Sequence, residues 1–344
     1  MKTLLTFLSL SLATFAMGQQ VLLLTSGEKT SIRGLSVLDE QVVWASGSNG
    51  KVARSLDGGL HWEWTTVKGQ EKSDFRDIHA FSDKEAVILK VGEPALLMRT
   101  TDGGKSWSTV YSDSTKGVFL DAMAFSGPHG QVIGDPLPSD PRVYLLQTGN
   151  RGKKWEKVSN PKSAIPILSE GEAFFASSGT NLVMVRSSGK KKTTLLATGG
   201  KVSSLIRSDV NTKTRLPLLQ GSESTGANSI AAWDAAHLIV CGGNFLSDRD
   251  TTANCYYSTD GGQNWIRPAR PPNGYRSCVI FINSDHLLAC GTSGVDISFD
   301  GGMNWDMISA EGFHVCQPAQ KGKAVFLAGG NGRIAKLTGL TYKN

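Results

Sequence analysis

The chain has 344 residues, with 36 Lys and Arg against 30 Asp and Glu, 40% apolar residues, 39 glycines and 12 prolines. These figures exclude a disordered chain, and with no G-X-Y period they exclude a collagen-like one, so a glycine share well above about 7% must serve turns between many short strands. A net charge of +6 without a Lys/Arg stripe gives a weak pull on anions and leaves no nucleic-acid footprint.

Residues 1–18 read as a secretory signal peptide: Lys2, an apolar stretch from Leu4 to Phe15, then the small residues Ala16 and Gly18 before Gln19. Export to the periplasm or beyond is expected. No cysteine follows the cut to carry a lipid, and no later run is long and apolar enough to cross a bilayer as a helix.

Self-similarity decides the architecture of the remainder, 19–344. After a β-rich run at 21–25 the first unit shows runs at 32–38, 41–47, 50–54 and 62–67, the last introduced by the octapeptide 55–62 (SLDGGLHW). The octapeptide returns at 100–107 (TTDGGKSW), 258–265 (STDGGQNW) and 298–305 (SFDGGMNW). A degenerate copy at 148–155 (TGNRGKKW) has Asn150 for Asp and Arg151 for the first Gly. Steps of 45, 48, 110 and 40 between Asp57, Asp102, Asn150, Asp260 and Asp300 leave room for one unit without a copy. An Asp followed by two glycines makes a tight hairpin turn, because the carboxylate caps backbone N–H groups and glycine accepts positive φ. The closing Trp62, Trp107, Trp155, Trp265 and Trp305 begin the returning strand and can pack across the hairpin.

First strands align at 32–38 (IRGLSVL), 75–81 (FRDIHAF), 119–125 (FLDAMAF), 171–177 (GEAFFAS), 227–233 (ANSIAAW), 275–281 (YRSCVIF) and 313–319 (FHVCQPA). Seven units of about 47 residues with four antiparallel strands each predict an all-β, seven-bladed propeller. The blades span approximately 33–67, 75–113, 119–160, 171–220, 226–272, 274–310 and 312–340. The last unit lacks its outer strand, which 20–25 is expected to supply, closing the ring.

The octapeptide resembles the Asp-box, or BNR repeat, of sialidases, sortilin-type receptors and the photosystem II stability/assembly factor family. Over the whole mature chain the likeness is to exported bacterial propellers of that last family. The resemblance implies that Asp57, Asp102, Asn150, Asp260 and Asp300 build structure at the blade periphery, and that the chain is a non-enzymatic, monomeric binding or assembly scaffold for a protein partner or an anionic ligand.

No zinc, redox, nucleophile-elbow or phosphate-loop spacing occurs, so no metal or cofactor is expected. The second column of the aligned first strands reads Arg33, Arg76, Leu120, Glu172, Asn228, Arg276 and His314, and the next adds Asp77, Asp121, Ser229 and Ser277. First strands line a propeller's channel, so these residues should ring one mouth. Three guanidiniums there either receive a carboxylate or phosphate or form a closed network with Glu172, Asp77 and Asp121. Sialidases place three arginines on a substrate carboxylate in a similar position, which makes a glycosidase the alternative, with Glu172 as base. No tyrosine nucleophile stands in either column.

Of Cys241, Cys255, Cys278, Cys290 and Cys316, all but Cys255 replace small apolar residues of other blades, and the bland reading is buried thiols. Export would permit Cys278–Cys290 or Cys241–Cys255 bridges, although a directly opposed cross-strand pair has awkward geometry. Lys190, Lys191 and Lys192 read as a solvated hairpin tip. Two loops interrupt the repeat, 134–141 and 244–254, where binding specificity is expected to sit. Asp248 and Asp250 in the second match no calcium loop.

Overall fold

The computed structural model describes residues 19–158, 166–186 and 192–340. The expected signal peptide and the Lys190 and Lys191 part of the basic run lie outside the described residues. Every regular element described is a strand. The strands form seven sheets, and the inner strands Ile32–Val37, Phe75–Ala80, Leu120–Ser126, Leu182–Arg186, Thr225–Ala232, Cys278–Phe281 and Val315–Pro318 pack in that order, the last against the first. The protein is a seven-bladed β-propeller.

Burial explains why these sequences make blades. Inner and second strands lie between neighbouring blades and are apolar on both faces, as in Val43–Gly47, which is buried throughout. Outer strands such as Glu63–Thr66 have mostly exposed residues. The largest apolar cluster fills the space around blades 6, 7 and 1, from Ile280 and Val295 through Phe326 and Leu327 to Ile32 and Ala53. Gln20–Thr25 pairs antiparallel with Ile334–Thr338, so the two chain ends share the last blade and close the ring.

The box turns are alike in all five copies. The Ser or Thr hydroxyl donates to the carboxylate two residues on, 2.9 Å at Ser55 and Asp57, and accepts the N–H of the second glycine, Gly59, at 2.8 Å. The carboxylate also accepts the N–H four residues further along, His61, at 2.9 Å. Thr148 and Asn150 reproduce this geometry in the degenerate copy, with Arg151 taking φ of 60° where the others carry glycine. Gly104 sits against Trp44, and Gly302 against Ile239, so each turn also packs on the preceding blade. All five lie at the outer hairpin, away from the channel.

Blade 4 departs from the alignment. Its sheet is Leu182–Arg186, Lys192–Ala197, Ser204–Arg207 and Thr212–Arg215, and the inner strand begins eleven residues after the aligned 171. The aligned segment instead pairs only at Glu172–Ala173 with Gly199–Gly200, which joins blade 5 at Gly226. A short apolar run such as AFFA cannot be told from a strand by pattern alone.

Candidate functional site: a plugged channel mouth

Residues 174–180 do not form a strand because they cross the axis of the ring. The N–H of Phe174 bonds Asp135 Oδ1 of blade 3 at 2.8 Å. Arg76 of blade 2 reaches the Ala176 carbonyl at 3.5 Å, and Arg33 of blade 1 reaches the Ser177 carbonyl at 3.2 Å. Ser177 Oγ donates to Asn228 of blade 5 at 2.8 Å, and Ser178 Oγ to the Ser277 carbonyl of blade 6 at 2.7 Å. So short a segment touching five blades can only lie across the channel as a plug.

Gly179 shows how tightly it fits. Its φ is +70°, and a Cβ there would stand 2.4 Å from Asp77 Oδ2. That carboxylate is held in place by the N–H groups of Ile78 at 2.8 Å and Met123 at 2.7 Å. Gly179→Ala is expected to destabilise the fold by more than the about 1–2 kcal/mol of a left-handed backbone alone. Gly69→Ala has a similar φ of +76° with nothing within 4 Å, and denaturant unfolding of the two chains side by side isolates the clash.

The inner strands of blades 1, 2, 3 and 5 each open with a β-bulge, and in blades 1 and 2 the extra residue is an arginine that lines the mouth. Ladder pairing breaks around Arg33, Arg76, Asp121 and Asn228. In blade 6 pairing starts at Cys278 opposite Cys290, with the Ser277 N–H bonded to the Cys290 carbonyl at 2.9 Å. Ser277 therefore takes the place the alignment assigned to Arg276, and in blade 3 Asp121 takes that of Leu120. A slip of one residue turns a side chain to the other face.

Arg276 accordingly points into its own blade and is fully buried. Its Nε donates to Asp296 Oδ2 at 2.6 Å, Nη1 to the Tyr275 carbonyl at 2.8 Å and to Ser293 Oγ at 2.9 Å, and Nη2 to the Asn273 carbonyl at 3.1 Å. Its donors are satisfied and it does not reach the mouth. Glu172 is also elsewhere, accepting from Lys213, from Thr198 at 2.6 Å and from the Ser169 N–H at 2.8 Å. Burial raises its pKa, but Lys213, Thr198 and Ser169 outweigh that and hold it below the ordinary value. Asn228 and Asp77 lie under the plug rather than in the opening.

The mouth itself is a cavity of about 540 Å³ lined by Arg33, Arg76, Phe175, Phe245, Tyr275 and His314, among others. Arg76 is paired through Nε with Asp74 at 2.7 Å. Arg33 has no ion pair among the described residues, and burial followed by the charge of Arg76 lowers its pKa without discharging a guanidinium. His314 is pushed down to about 3 by burial and then by Arg33, Arg333 and Arg76, so it is neutral at pH 7 and adds no positive charge. Tyr275, absent from both aligned columns, donates to Asn228 Oδ1 at 2.9 Å, and burial pushes its phenol up to about 12.

Beneath the mouth, burial pushes Asp135 up to about 6, and burial with the Asp135 charge pushes Asp121 well above the carboxylate range. A raised native pKa means the fold binds the proton more tightly, so stability rises as pH falls from 7 through 6. The box carboxylates have the opposite sign. Asp57, Asp102 and Asp260 are held at about 2, chiefly by hydrogen bonds from His61, Ser106 and Asn264. Their contribution is complete above about 3.9 and is lost as pH falls toward 2. Unfolding free energy measured against pH should therefore peak between roughly 4 and 6, and an Asp135→Asn chain should show a shallower rise on the neutral side.

At the opposite end the channel opens into a wider cavity of about 890 Å³, collared by Phe81, Phe125, Trp233 and Phe281. These residues end the aligned runs, so this collar was present in the alignment as its last column.

Residues 25–117 match the family model described as photosynthesis system II assembly factor YCF48, and 256–265 match the BNR/Asp-box repeat. The chain is a BNR-repeat propeller that resembles the photosystem II assembly factor family. The matched stretch covers blades 1 and 2 and contains both Arg33 and Arg76. Among curated proteins, the photosystem II assembly lipoprotein Ycf48 of Synechococcus sp. (strain CC9902) is 36% identical over 129 residues, 36% of this chain and 35% of that protein. The chloroplastic photosystem II stability/assembly factor HCF136 of Arabidopsis thaliana is 26% identical over 114 residues, 32% of this chain and 26% of that one. The alignments thus span about a third or less of these relatives. Among solved structures, YCF48 from Cyanidioschyzon merolae superposes with a TM-score of 0.63 at 16% identity, over 92% of this chain and 98% of that one. YCF48 bound to D1 peptide superposes at 0.59 and 17%, over 92% and 96%. Both show likeness of fold.

Proposed function

We propose that the protein is an exported binding or assembly propeller that takes an anionic, aromatic-bearing segment of a protein partner at the Arg33–Arg76 mouth. The observation that carries this reading is the cavity itself: two guanidiniums from adjacent blades beside the rings of Phe175, Phe245 and Tyr275. The planar donors of Arg33 match a carboxylate, and the rings offer apolar area to a neighbouring side chain. The likeness to YCF48, one structure of which holds a D1 peptide, agrees with a peptide as the ligand. Export rests on the reading of residues 1–18 and agrees with the lipoprotein name of the Synechococcus relative.

The glycosidase alternative has lost support at the site, since Arg276 and Glu172 stand outside the mouth and Tyr275 is held protonated. The test is a fluorescence titration with peptides carrying an aromatic residue next to a free C-terminal carboxylate, against the same peptides amidated. Binding of the free acids that weakens with salt supports the reading. Equal or absent binding of both sets overturns it, and release of sugar from a glycoside panel would put the alternative in its place.

A further inference from the structure

The five cysteines fall into two groups. Cys278, Cys290 and Cys316 bring their Sγ atoms within 4.8 Å of one another in blades 6 and 7. Cys241 and Cys255 are separate from these and stand directly opposite one another on the second and third strands of blade 5. Their Sγ atoms are 3.2 Å apart, and neither residue is exposed.

Ladder geometry decides what this pair can do. The Gly242 N–H bonds the Asn254 carbonyl at 2.9 Å, which makes 242 and 254 a hydrogen-bonded pair and 241 and 255 the adjacent non-hydrogen-bonded one. In that pair type the Cα atoms approach to about 4.5 Å, within the roughly 4.4–6.8 Å that disulfides span. The awkwardness expected of opposed cysteines therefore does not bar this pair.

What the pair encloses gives it a role. Residues 244–254 leave and re-enter the sheet immediately beyond it, and Phe245 at the start of that loop packs edge-on against Phe175 of the plug at 5.7 Å and against Tyr275 at 6.3 Å. Further along, the Asp248 carbonyl accepts the Tyr275 N–H at 2.9 Å and Ser293 Oγ at 2.7 Å. We propose that Cys241 and Cys255 form a disulfide that clamps the root of the 244–254 loop and so fixes one wall of the mouth.

Closing the bond joins the two sulfurs and releases two protons. The two electrons pass to an external disulfide, such as oxidised glutathione or a thiol oxidase, through a mixed disulfide. The reacting species is a thiolate, and burial together with Cys241 holds the Cys255 thiol well above its ordinary pKa once the blade has formed. The bond accordingly closes as the chain folds rather than afterwards.

The experiment is refolding of the full chain in a glutathione redox buffer, followed by alkylation of free thiols under denaturing conditions and trypsin digestion without reductant. Trypsin cuts at Arg249, between the two cysteines, so the bond joins two separate peptides, about 2 Da lighter than their sum. The expected result is that linked pair, together with hydrogen exchange at 244–254 several-fold slower in the oxidised chain than after reduction. A Cys241→Ala chain, carrying the residue that Ala45 and Ala328 hold in blades 1 and 7, should exchange like the reduced protein. Full alkylation of both cysteines overturns the bond, and equal exchange in oxidised and reduced chains overturns the clamp. Should the variant fail to fold, the comparison of oxidised and reduced wild type decides both points. Cys278, Cys290 and Cys316 lie together in the single tryptic peptide 277–321, so a bond among them is internal to that peptide and does not affect the reading.

Discussion

An Arg276→Ala chain is expected to lose about 3–5 kcal/mol of unfolding free energy while keeping its affinity for an acidic peptide. Arg276 and Asp296 are both fully buried and bonded to each other. Asp296 also accepts from the Asn273 side chain at 2.7 Å. Removing the guanidinium leaves a carboxylate in the blade interior with only the neutral backbone and side-chain N–H donors of Asn273, and also removes groups that bonded the Tyr275 and Asn273 carbonyls. A buried charge without its partner is among the costliest defects a core can carry. Replacing both residues together, as in Arg276→Met with Asp296→Leu, should recover much of the loss, because desolvating two charges offsets most of what their attraction contributes. Denaturant midpoints for the single and double replacements, with the peptide titration run on each, make the comparison. Loss of peptide affinity with unchanged stability would contradict the buried placement.

Arg33→Ala and Arg76→Ala should do the reverse, each weakening the complex by about 1.5–3 kcal/mol, or roughly 10- to 100-fold in Kd. The two changes differ in detail. Arg76 shares its guanidinium with Asp74, so its deletion frees a carboxylate at the mouth and adds repulsion to the lost attraction. Arg33 has no ion pair among the described residues, and its loss removes attraction along with one bond to the plug at the Ser177 carbonyl. Arg33→Lys should retain the salt dependence yet recover only part of the affinity, because an ammonium cannot present two parallel donors to a carboxylate. Titrations at low and physiological ionic strength separate charge from fork geometry, and an affinity unchanged in both alanine chains would remove the mouth as the binding site.

The ring was legible in the sequence because its information is local and repeated. Ser or Thr, Asp and two glycines determine a turn within a few residues, and Trp305 or Trp155 packs across the same hairpin whatever the rest of the chain does. The period between Asp57 and Asp102 fixes the length of a blade, and the shortened last unit implied the Gln20–Thr25 closure. Three things were decided only by the tertiary structure. Arg276 was placed at the mouth by aligning letters, but where a bulge falls depends on hydrogen bonding to the second strand, and one residue of slip sends its guanidinium to Asp296 instead. Residues 171–177 read as an inner strand, yet what holds 174–180 across the channel is bonding to Asp135, Arg76, Arg33, Asn228 and Ser277, from five other blades. His314 reads from the alignment as one more polar residue of the ring, and it is burial together with the assembled field of Arg33, Arg333 and Arg76 that leaves it neutral. Turns and strand periods are set by neighbours along the chain, whereas the register, burial and charge of a channel residue are set by neighbours that only closure of the ring brings together.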